Sequence, residues 1–367
     1  MFKKIVTIWM LITLLAACGT SGASTGPTAN SDSAGGGAAA IVPTSAAAAP
    51  TNEAAAPTSA PTQALRKVTL AMSYIPNVQF APYYVAKAKG YFAEAGLDVT
   101  FDYNFENDVV QRAAGWPQSQ VEFATASGTS VLLARQQQIP VKIVMTLYQA
   151  FPVVFFAKGE GDLTAADLKG QSLGIPGRFG ESYYALLALL YANKMQESDL
   201  TVQEIGFTQA QAVLEDKVVA ATGYAMNEPV LLRSQGQAVR VLRVADIFPL
   251  ASNGIVVSEE LLSKEPEVVR GFVLASLKGL NDTLADPQAA FEISIKEIPE
   301  ASLSNKELQL EVLNASLPYW SSDKTTANGL GYTDLETWQK TAQFMFDTKL
   351  LPGEVKAEEG FTNEFIK

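Results

Sequence analysis

Apolar positions along the chain follow two patterns that alternate from residue 67 onward. KVTLAMSY (67–74) and VEFATAS (121–127) are apolar runs of strand length, which are typical of buried strands. APYYVAKAKGYFAEAG (81–96) and TSVLLARQQQ (129–138) instead have apolar residues at helical spacing, which predicts helices. Because strands that alternate with short helices favour a mostly parallel sheet covered on both faces, the pattern predicts an α/β fold.

The same alternation starts again at residue 151. Further strands are predicted at 97–104, 141–149, 151–159, 171–177, 201–207 and 218–226, and further helices at 107–118, 162–170, 181–194 and 208–217. VEFATASGTSVLLAR (121–135) is echoed by VVAATGYAMNEPVLLRS (218–234), since each is a buried strand, a turn and a helix. The echo predicts two halves of related topology.

From Ser258 onward the pattern changes to long helices, which we expect to pack against the first half. We therefore predict two α/β lobes with C-terminal helices. Residues 64–150 with 252–367 are expected to form lobe 1, and residues 151–251 to form lobe 2. Because ligands of open α/β sheets bind beyond the carboxyl ends of the strands, the cleft between the lobes is the expected site.

The first residues have the layout of an export signal. Lys3 and Lys4 precede the apolar run IVTIWMLITLL, which ends in Leu-Ala-Ala before Cys18, the only cysteine of the chain. This ending resembles the lipobox of bacterial lipoproteins. It predicts a signal peptide at 1–17 that is removed, and a lipid on the Cys18 thiol that holds the protein on the extracytoplasmic face of the cell membrane.

Residues 18–63 are rich in Ala, Gly, Ser, Thr and Pro and contain few large apolar side chains. Such a composition buries too little apolar surface to offset the entropy of ordering, so the segment is predicted to be a flexible tether. The formal net charge of −11 argues against a nucleic-acid partner.

Several kinds of chemistry are missing from the chain. It has no histidine, which excludes Ser-His-Asp and Cys-His nucleophiles and histidine metal ligands. No phosphate-binding GxxxxGK[ST] motif occurs, and the glycines of GIPGRFG (174–180) lack dinucleotide-binding spacing. No pair of carboxylates stands out as an acid and a base. We therefore predict no catalytic residue, no metal and no cofactor.

Five motifs carry a family resemblance. MSYIPNVQFAPYYVAKAKGYFAEAGLDV (72–99), ATASGTSVLLAR (124–135), DLKGQSLGIPG (167–177), GYAMNEPVLL (223–232) and GYTDLETWQK (331–340) occur in this order. Together they resemble the family of solute-binding proteins that bind pyrimidine precursors of thiamine, which is related to sulfonate- and nitrate-binding proteins. The resemblance covers about residues 66–349 and implies a type II periplasmic-binding-protein-like fold.

The resemblance also implies a function without a reaction, namely capture of a small vitamin outside the membrane and its delivery to the permease and ATPase subunits of an ABC importer. Within the family, the likeness to riboflavin-binding lipoproteins points to riboflavin as the transported ligand. A thiamine pyrimidine precursor, free or phosphorylated, is the alternative ligand, and a thiamine-pyrimidine biosynthetic enzyme is a further alternative. We expect a monomer.

The predicted cleft is rich in aromatic residues, which suits a flat ligand. Aromatic side chains stack on rings with about 0.5–1.5 kcal/mol per pair beyond the buried area, and an isoalloxazine ring uses more such walls than a pyrimidine does. Polar side chains at the same turns would meet the ligand's hydroxyl groups. The predicted ligand-binding residues are Tyr74, Asn77, Phe80, Tyr83, Tyr84, Ser127, Thr129, Phe151, Arg178, Phe179, Tyr183, Tyr224, Asn227 and Glu228.

Three alternatives stay open within this set. Neighbours in a helix diverge by about 100°, so only one of Tyr83 and Tyr84 faces the cleft, and the same holds for Tyr183 and Tyr184. Glu228 either caps the helix after it or accepts from the ligand, and the resemblance favours the second role. Ser127 and Arg178 lie at predicted helix N-termini, which also suit an anionic ligand.

Overall fold

The computed structural model of the chain describes residues 64–103, 108–299 and 305–367. The predicted signal peptide, the tether and Cys18 lie outside the described residues. The strands are β1 Arg66–Ala71, β2 Leu97–Asp102, β3 Phe123–Ser127, β4 Val141–Thr146, β5 Val153–Lys158, β6 Ser172–Ile175, β7 Thr201–Glu204, β8 Ala220–Tyr224, β9 Val239–Arg243 and β10 Asn253–Ser258.

Helices follow most of the strands. They are α1 Ala81–Ala88, α2 Tyr91–Glu94, α3 Val109–Ala114, α4 Gly128–Gln136, α5 Ala165–Leu168, α6 Gly180–Asn193, α7 Gln209–Leu214, α8 Glu228–Ser234, α9 Val244–Ile247, α10 Glu259–Lys264, α11 Pro266–Ala285, α12 Pro287–Glu297, α13 Lys306–Ser316, α14 Asp323–Asn328 and α15 Leu335–Asp347. Short 3₁₀ helices occur at Val78–Phe80, Glu197–Asp199, Leu317–Tyr319 and Ala357–Gly360.

The described strands form two five-stranded sheets of the same design. The first sheet has the order β2-β1-β3-β10-β4, and the second has the order β7-β6-β8-β5-β9. In each sheet the first three strands run parallel, while the fourth is antiparallel to both of its neighbours. The two echoed sequence segments supply β3 and β8, which take the same central position in the two sheets.

The antiparallel strands link the two halves of the chain. The chain passes from β4 of the first sheet to β5 of the second, and it returns through β10, which pairs with β3 and β4. The alternation of apolar runs predicts neither β9 nor β10 as a strand. The residue limits given above for the two lobes stay a prediction.

The C-terminal helices cover the first sheet. Phe272 of α11 stacks on Phe123 of β3, with ring centroids 3.8 Å apart, and lies 5.1 Å from Phe92. Gly279 of the same helix lies so close to α1 that a Cβ there would be 2.1 Å from the Pro82 carbonyl oxygen. The long helices after Ser258 therefore pack against the first half of the chain, as we expect from the sequence. Among the described residues, no helix combines the length and the apolar character that a membrane crossing needs.

The predicted helix at 81–96 is broken into α1 and α2. Gly90 has φ +79, a left-handed conformation that glycine adopts without steric cost, and it separates the two helices. Tyr91 and Phe92 consequently lie on a separate short helix, with Phe92 buried among Phe272 and its neighbours. Of the two aromatic residues after Gly90, Phe92 lies in the core, whereas Tyr91 is partly buried and donates its hydroxyl hydrogen to Asp282 Oδ2 at 2.6 Å.

Candidate functional site

A cavity of about 770 Å³ lies between the two sheets. This volume is in the range of about 300–1,000 Å³ that small-molecule sites occupy. Residues from the ends of β3, β8 and β10 and from the first turns of α4 and α6 contribute to its lining. Of the predicted ligand-binding residues, those that line the cavity are Tyr74, Phe80, Tyr83, Ser127, Phe179, Tyr224, Asn227 and Glu228.

Phe80, Tyr83 and Tyr148 form what we call the first wall of the cavity, on the side of the first sheet. Phe80 ends the 3₁₀ helix Val78–Phe80, and Tyr83 follows in the first turn of α1. All three side chains are buried, with exposed fractions of 6%, 0% and 5%. Burial on this scale fixes their positions through packing, so the first wall is preformed.

Asn77 shapes the first wall from behind. Its side-chain oxygen accepts from the Gln79 N–H at 3.0 Å and caps the 3₁₀ helix that carries Phe80. Asn77 is buried and is not part of the cavity lining. The structure therefore assigns its oxygen to the backbone rather than to the cavity.

The adjacent residues Tyr83 and Tyr84 diverge. Tyr83 lines the cavity, and its buried hydroxyl has no hydrogen-bond partner among the described residues. Tyr84 points away, accepts from the Tyr103 hydroxyl at 2.8 Å and packs edge-on against Phe101 at 5.5 Å. Burial raises the pKa of both phenols, so both stay neutral at physiological pH. The Tyr83 hydroxyl is thus a polar group that a ligand in the cavity can satisfy.

Phe179 and Phe207 form the second wall of the cavity, on the side of the second sheet. Their rings meet edge to face with centroids 6.4 Å apart. They remain exposed, with Phe179 at 49% and Phe207 at 80%. Gly177 makes room for this wall, because a Cβ there would lie 2.4 Å from Phe179 Cε1. Two large apolar rings left in solvent at the mouth of a cavity mark a surface that binding would cover.

Arg178 and Tyr183, which flank the second wall in sequence, lie outside the cavity lining. The Arg178 guanidinium pairs with Glu197, with Nη1 2.9 Å from Oε2, and its Nε lies 3.2 Å from Glu204 Oε1. The same guanidinium lies over the Tyr183 ring at 6.0 Å. Tyr184 takes the cavity-facing position instead, and burial raises the pKa of its phenol to about 12.

Ser127 and Thr129 meet a carboxylate at the first turn of α4. Ser127 caps this helix, since its Oγ accepts from the Ser130 N–H at 3.1 Å. The Ser127 hydroxyl also lies 2.5 Å from Glu181 Oε1, and Thr129 Oγ1 lies 3.0 and 2.9 Å from the two oxygens of the same carboxylate. Glu181 belongs to the first turn of α6, so this contact joins the two sides of the cavity. Thr129 itself is fully buried and outside the lining.

Glu228 is the second carboxylate of the cavity. Its Oε2 accepts from the Tyr224 N–H at 2.8 Å, and a Cβ on Gly223 would lie 2.6 Å from that oxygen. The bare backbone of Gly223 therefore lets the carboxylate fold back over the end of β8. Burial raises the pKa of Glu228 and of the neighbouring Tyr224 phenol. Tyr74 lies at the rim and is about one-third exposed.

Phe151 is a core residue. It is 1% exposed and packs in a buried apolar cluster that includes residues of both sheets, outside the cavity lining. Sequence reasoning missed many of the lining residues, among them Tyr148, Phe207 and Glu181. Tyr148 and Phe207 follow the ends of β4 and β7, so the rule that ligands bind beyond strand ends would have found them.

The chain is similar to proteins of known name. Residues 77–290 match the family model described as NMT1/THI5 like. The riboflavin-binding protein RibY of Chloroflexus aurantiacus is 63% identical over 303 residues, which are 82% of this chain and 86% of that protein. The 4-amino-5-hydroxymethyl-2-methylpyrimidine phosphate synthase THI11 of Saccharomyces cerevisiae is 27% identical over 82% of this chain and 88% of its own length.

A solved structure shares the fold. The periplasmic aliphatic sulphonate binding protein SsuA of Escherichia coli superimposes with a TM-score of 0.62 at 14% identity, over 80% of this chain and 96% of that one. The predicted periplasmic-binding-protein-like fold is thereby confirmed. Because the family model spans more than half of the sequence, and because of the high identity to RibY, the chain belongs to the NMT1/THI5-like family.

Proposed function

We propose that this protein is the solute-binding component of an ABC importer and that its ligand is riboflavin. The observation that carries the proposal is the pair of aromatic walls, Phe80, Tyr83 and Tyr148 on one side of the cavity and Phe179 and Phe207 on the other. The 63% identity to a protein named for riboflavin binding supports the same ligand.

The cavity offers a flat ring and a polar tail different partners. A ring that covers Phe179 and Phe207 removes their exposed surface from water and gains about 0.5–1.5 kcal/mol per stacked pair beyond that burial. Hydroxyl groups of a ribityl chain lose about 1–3 kcal/mol each if they are buried without a partner. The Tyr83 hydroxyl, the Asn227 side chain and the Glu228 carboxylate line the cavity and are suited to meet them.

The proposed role is binding without a reaction. The chain contains no histidine, and its cavity carboxylates Glu181 and Glu228 already accept hydrogen bonds from Ser127, Thr129 and the Tyr224 backbone. The synthase THI11 is a distant relative at 27% identity. We therefore propose a transported ligand rather than a substrate or a cofactor, and an aminopyrimidine is the ligand to test against riboflavin.

We further propose how the protein reaches its partners. Cleavage after residue 17 and lipidation of Cys18 would hold it on the extracytoplasmic face of the cell membrane, where residues 18–63 act as a tether. From there a monomer would carry the ligand to the permease, and the ATPase subunits would drive import. Replacing Cys18 with Ala should release the protein from the membrane fraction, and its retention there would contradict the lipid anchor.

Fluorescence titration tests the ligand. Added to the purified protein, riboflavin should lose fluorescence until one flavin is bound per chain, and the melting temperature should rise, since a ligand at 100 times its Kd stabilises the native state by about 2.7 kcal/mol. A melting temperature that ignores riboflavin but rises with a phosphorylated aminopyrimidine would contradict the proposal. Chemical conversion of the bound ligand would contradict the binding-only role.

A further inference from the structure

The Glu181 carboxylate occupies the first turn of α4, a position that favours a negative charge. The helix has nine residues, and its N-terminal N–H groups and dipole create a partial positive charge there. Glu181 reaches this turn from α6 and lies within hydrogen-bond distance of the hydroxyls of Ser127, Thr129 and Ser130, at 2.5, 2.9 and 3.4 Å. The chain itself therefore supplies the anion that this helix end attracts.

The other charges around the cavity have the same sign. Glu228 is its second carboxylate, and no Lys or Arg belongs to the lining among the described residues. Arg178, the basic side chain next to α6, pairs with Glu197 and Glu204 outside the cavity. The phenols of Tyr83, Tyr148, Tyr184 and Tyr224 are uncharged, since burial raises the pKa of each.

An anionic ligand therefore meets a double obstacle. It finds the α4 turn taken by the Glu181 carboxyl group, and it enters a cavity whose lining holds a second carboxyl group, that of Glu228, and no Lys or Arg among the described residues. Like-charge contact in a desolvated site is strongly unfavourable. An uncharged ligand of the same shape meets neither obstacle, because its polar groups need only hydrogen-bond partners.

We propose that Glu181 is a specificity-determining residue that reserves the cavity for uncharged ligands and rejects their phosphorylated forms. Applied to riboflavin, the inference rests on the proposed function and predicts that riboflavin 5′-phosphate is excluded. It reverses the expectation from sequence that the helix N-termini at Ser127 and Arg178 suit an anionic ligand.

The test compares the Kd values of riboflavin and riboflavin 5′-phosphate at fixed salt for three proteins. Wild type should prefer riboflavin by about tenfold or more. Glu181→Gln keeps the size of the side chain and an acceptor oxygen, and it should reduce that preference about tenfold, mainly through tighter binding of the phosphate. Glu160→Gln makes the same change of net charge at an exposed residue outside the cavity and should leave the preference unchanged.

The outcomes distinguish the proposed ligand, riboflavin, from the proposed role of Glu181 in excluding phosphorylated ligands. Equal affinity of wild type for both flavins overturns the inference and leaves riboflavin binding intact, and this result does not depend on how the variant folds. An unchanged preference in Glu181→Gln that still binds riboflavin overturns the role of Glu181. If wild type binds neither flavin, the proposed ligand is wrong, and the aminopyrimidine and its phosphate form the test pair in a thermal-shift assay. If the aminopyrimidine phosphate then binds as tightly as the free aminopyrimidine, the inference is overturned. It is also overturned if neither the two flavins nor the two aminopyrimidines bind.

Discussion

The two walls of the cavity use the same residue type in opposite ways. Phe80 of the first wall is 6% exposed and belongs to the core around α1 and α11, whereas Phe207 of the second wall is 80% exposed. Packing in the core accounts for the buried position of Phe80. Phe207, in contrast, has a ring contact only with Phe179 among the described aromatic residues. The first wall is therefore set by folding, whereas we propose that the exposed second wall contributes to binding rather than to stability.

Exchanging one phenylalanine in each wall for alanine gives the largest expected difference. Phe80→Ala should lower the free energy of unfolding by about 3–5 kcal/mol, because it removes a buried ring and leaves a cavity. Phe207→Ala, the matched change in the second wall, should alter it by no more than about 0.5 kcal/mol. Chemical denaturation measures both, and similar losses from the two variants would contradict the distinction between the walls.

Changes in the second wall should affect ligand affinity much more than they affect folding stability. Phe179→Ala combined with Phe207→Ala should weaken riboflavin binding about tenfold or more, since a stacked ring loses its partners and its cover from water. The free energy of unfolding should stay within about 1 kcal/mol of wild type. Fluorescence titration measures the affinity, and an unchanged Kd would show that the exposed rings do not contact the ligand.

The hydroxyl of Tyr83 gives a finer test of the first wall. Tyr83→Phe should weaken riboflavin binding by about 1 kcal/mol, roughly fivefold, and leave folding stability unchanged or higher, because this buried hydroxyl has no hydrogen-bond partner among the residues that the structure describes. Tyr84→Phe is the matched control, and it should lower stability by about 1 kcal/mol through the lost Tyr103 contact without changing affinity. The reverse assignment of effects would mean that Tyr84 faces the ligand.

The smallest expected effect concerns the carboxylate that bridges the two sides. Burial raises the pKa of Glu181 in the native state, so the native protein takes up this proton at a higher pH than the unfolded chain does. Between the ordinary value of about 4.3 and the raised value, this group makes the free energy of unfolding fall as pH rises.

In Glu181→Gln that contribution is absent. The stability of the variant relative to wild type should therefore increase from about pH 4.3 toward neutral pH, as measured by denaturation across that range. A Glu181→Gln difference that falls with rising pH would mean that the native state instead stabilises the charged carboxylate.

Much of the fold was predictable because it depends on local patterns. The apolar runs predicted eight of the ten described strands. The repeated strand, turn and helix also predicted that β3 and β8 take equivalent positions in two halves of related topology. β10 was not predictable in this way, because its pairing with β3 and β4 joins segments more than one hundred residues apart. Gly90 broke one predicted helix through a backbone conformation that spacing alone does not reveal.

The candidate site was predictable only in part, because its geometry is set by tertiary contacts. The sequence showed that Tyr83 and Tyr84 diverge, but it could not tell which of them faces inward until Tyr103 and Phe101 were placed beside Tyr84. Arg178 suited an anion on the sequence alone, yet Glu197 and Glu204 hold it outside the cavity. Glu181 was overlooked because its partners Ser127 and Thr129 lie on a distant part of the chain.

A crystal structure of the protein grown with riboflavin tests the central claim most directly. We predict that the isoalloxazine ring lies between the two walls, covers Phe179 and Phe207, and places a polar atom of the ligand within hydrogen-bond distance of the Tyr83 hydroxyl. A flavin bound elsewhere on the protein, or a cavity without flavin at a saturating concentration, would contradict the account.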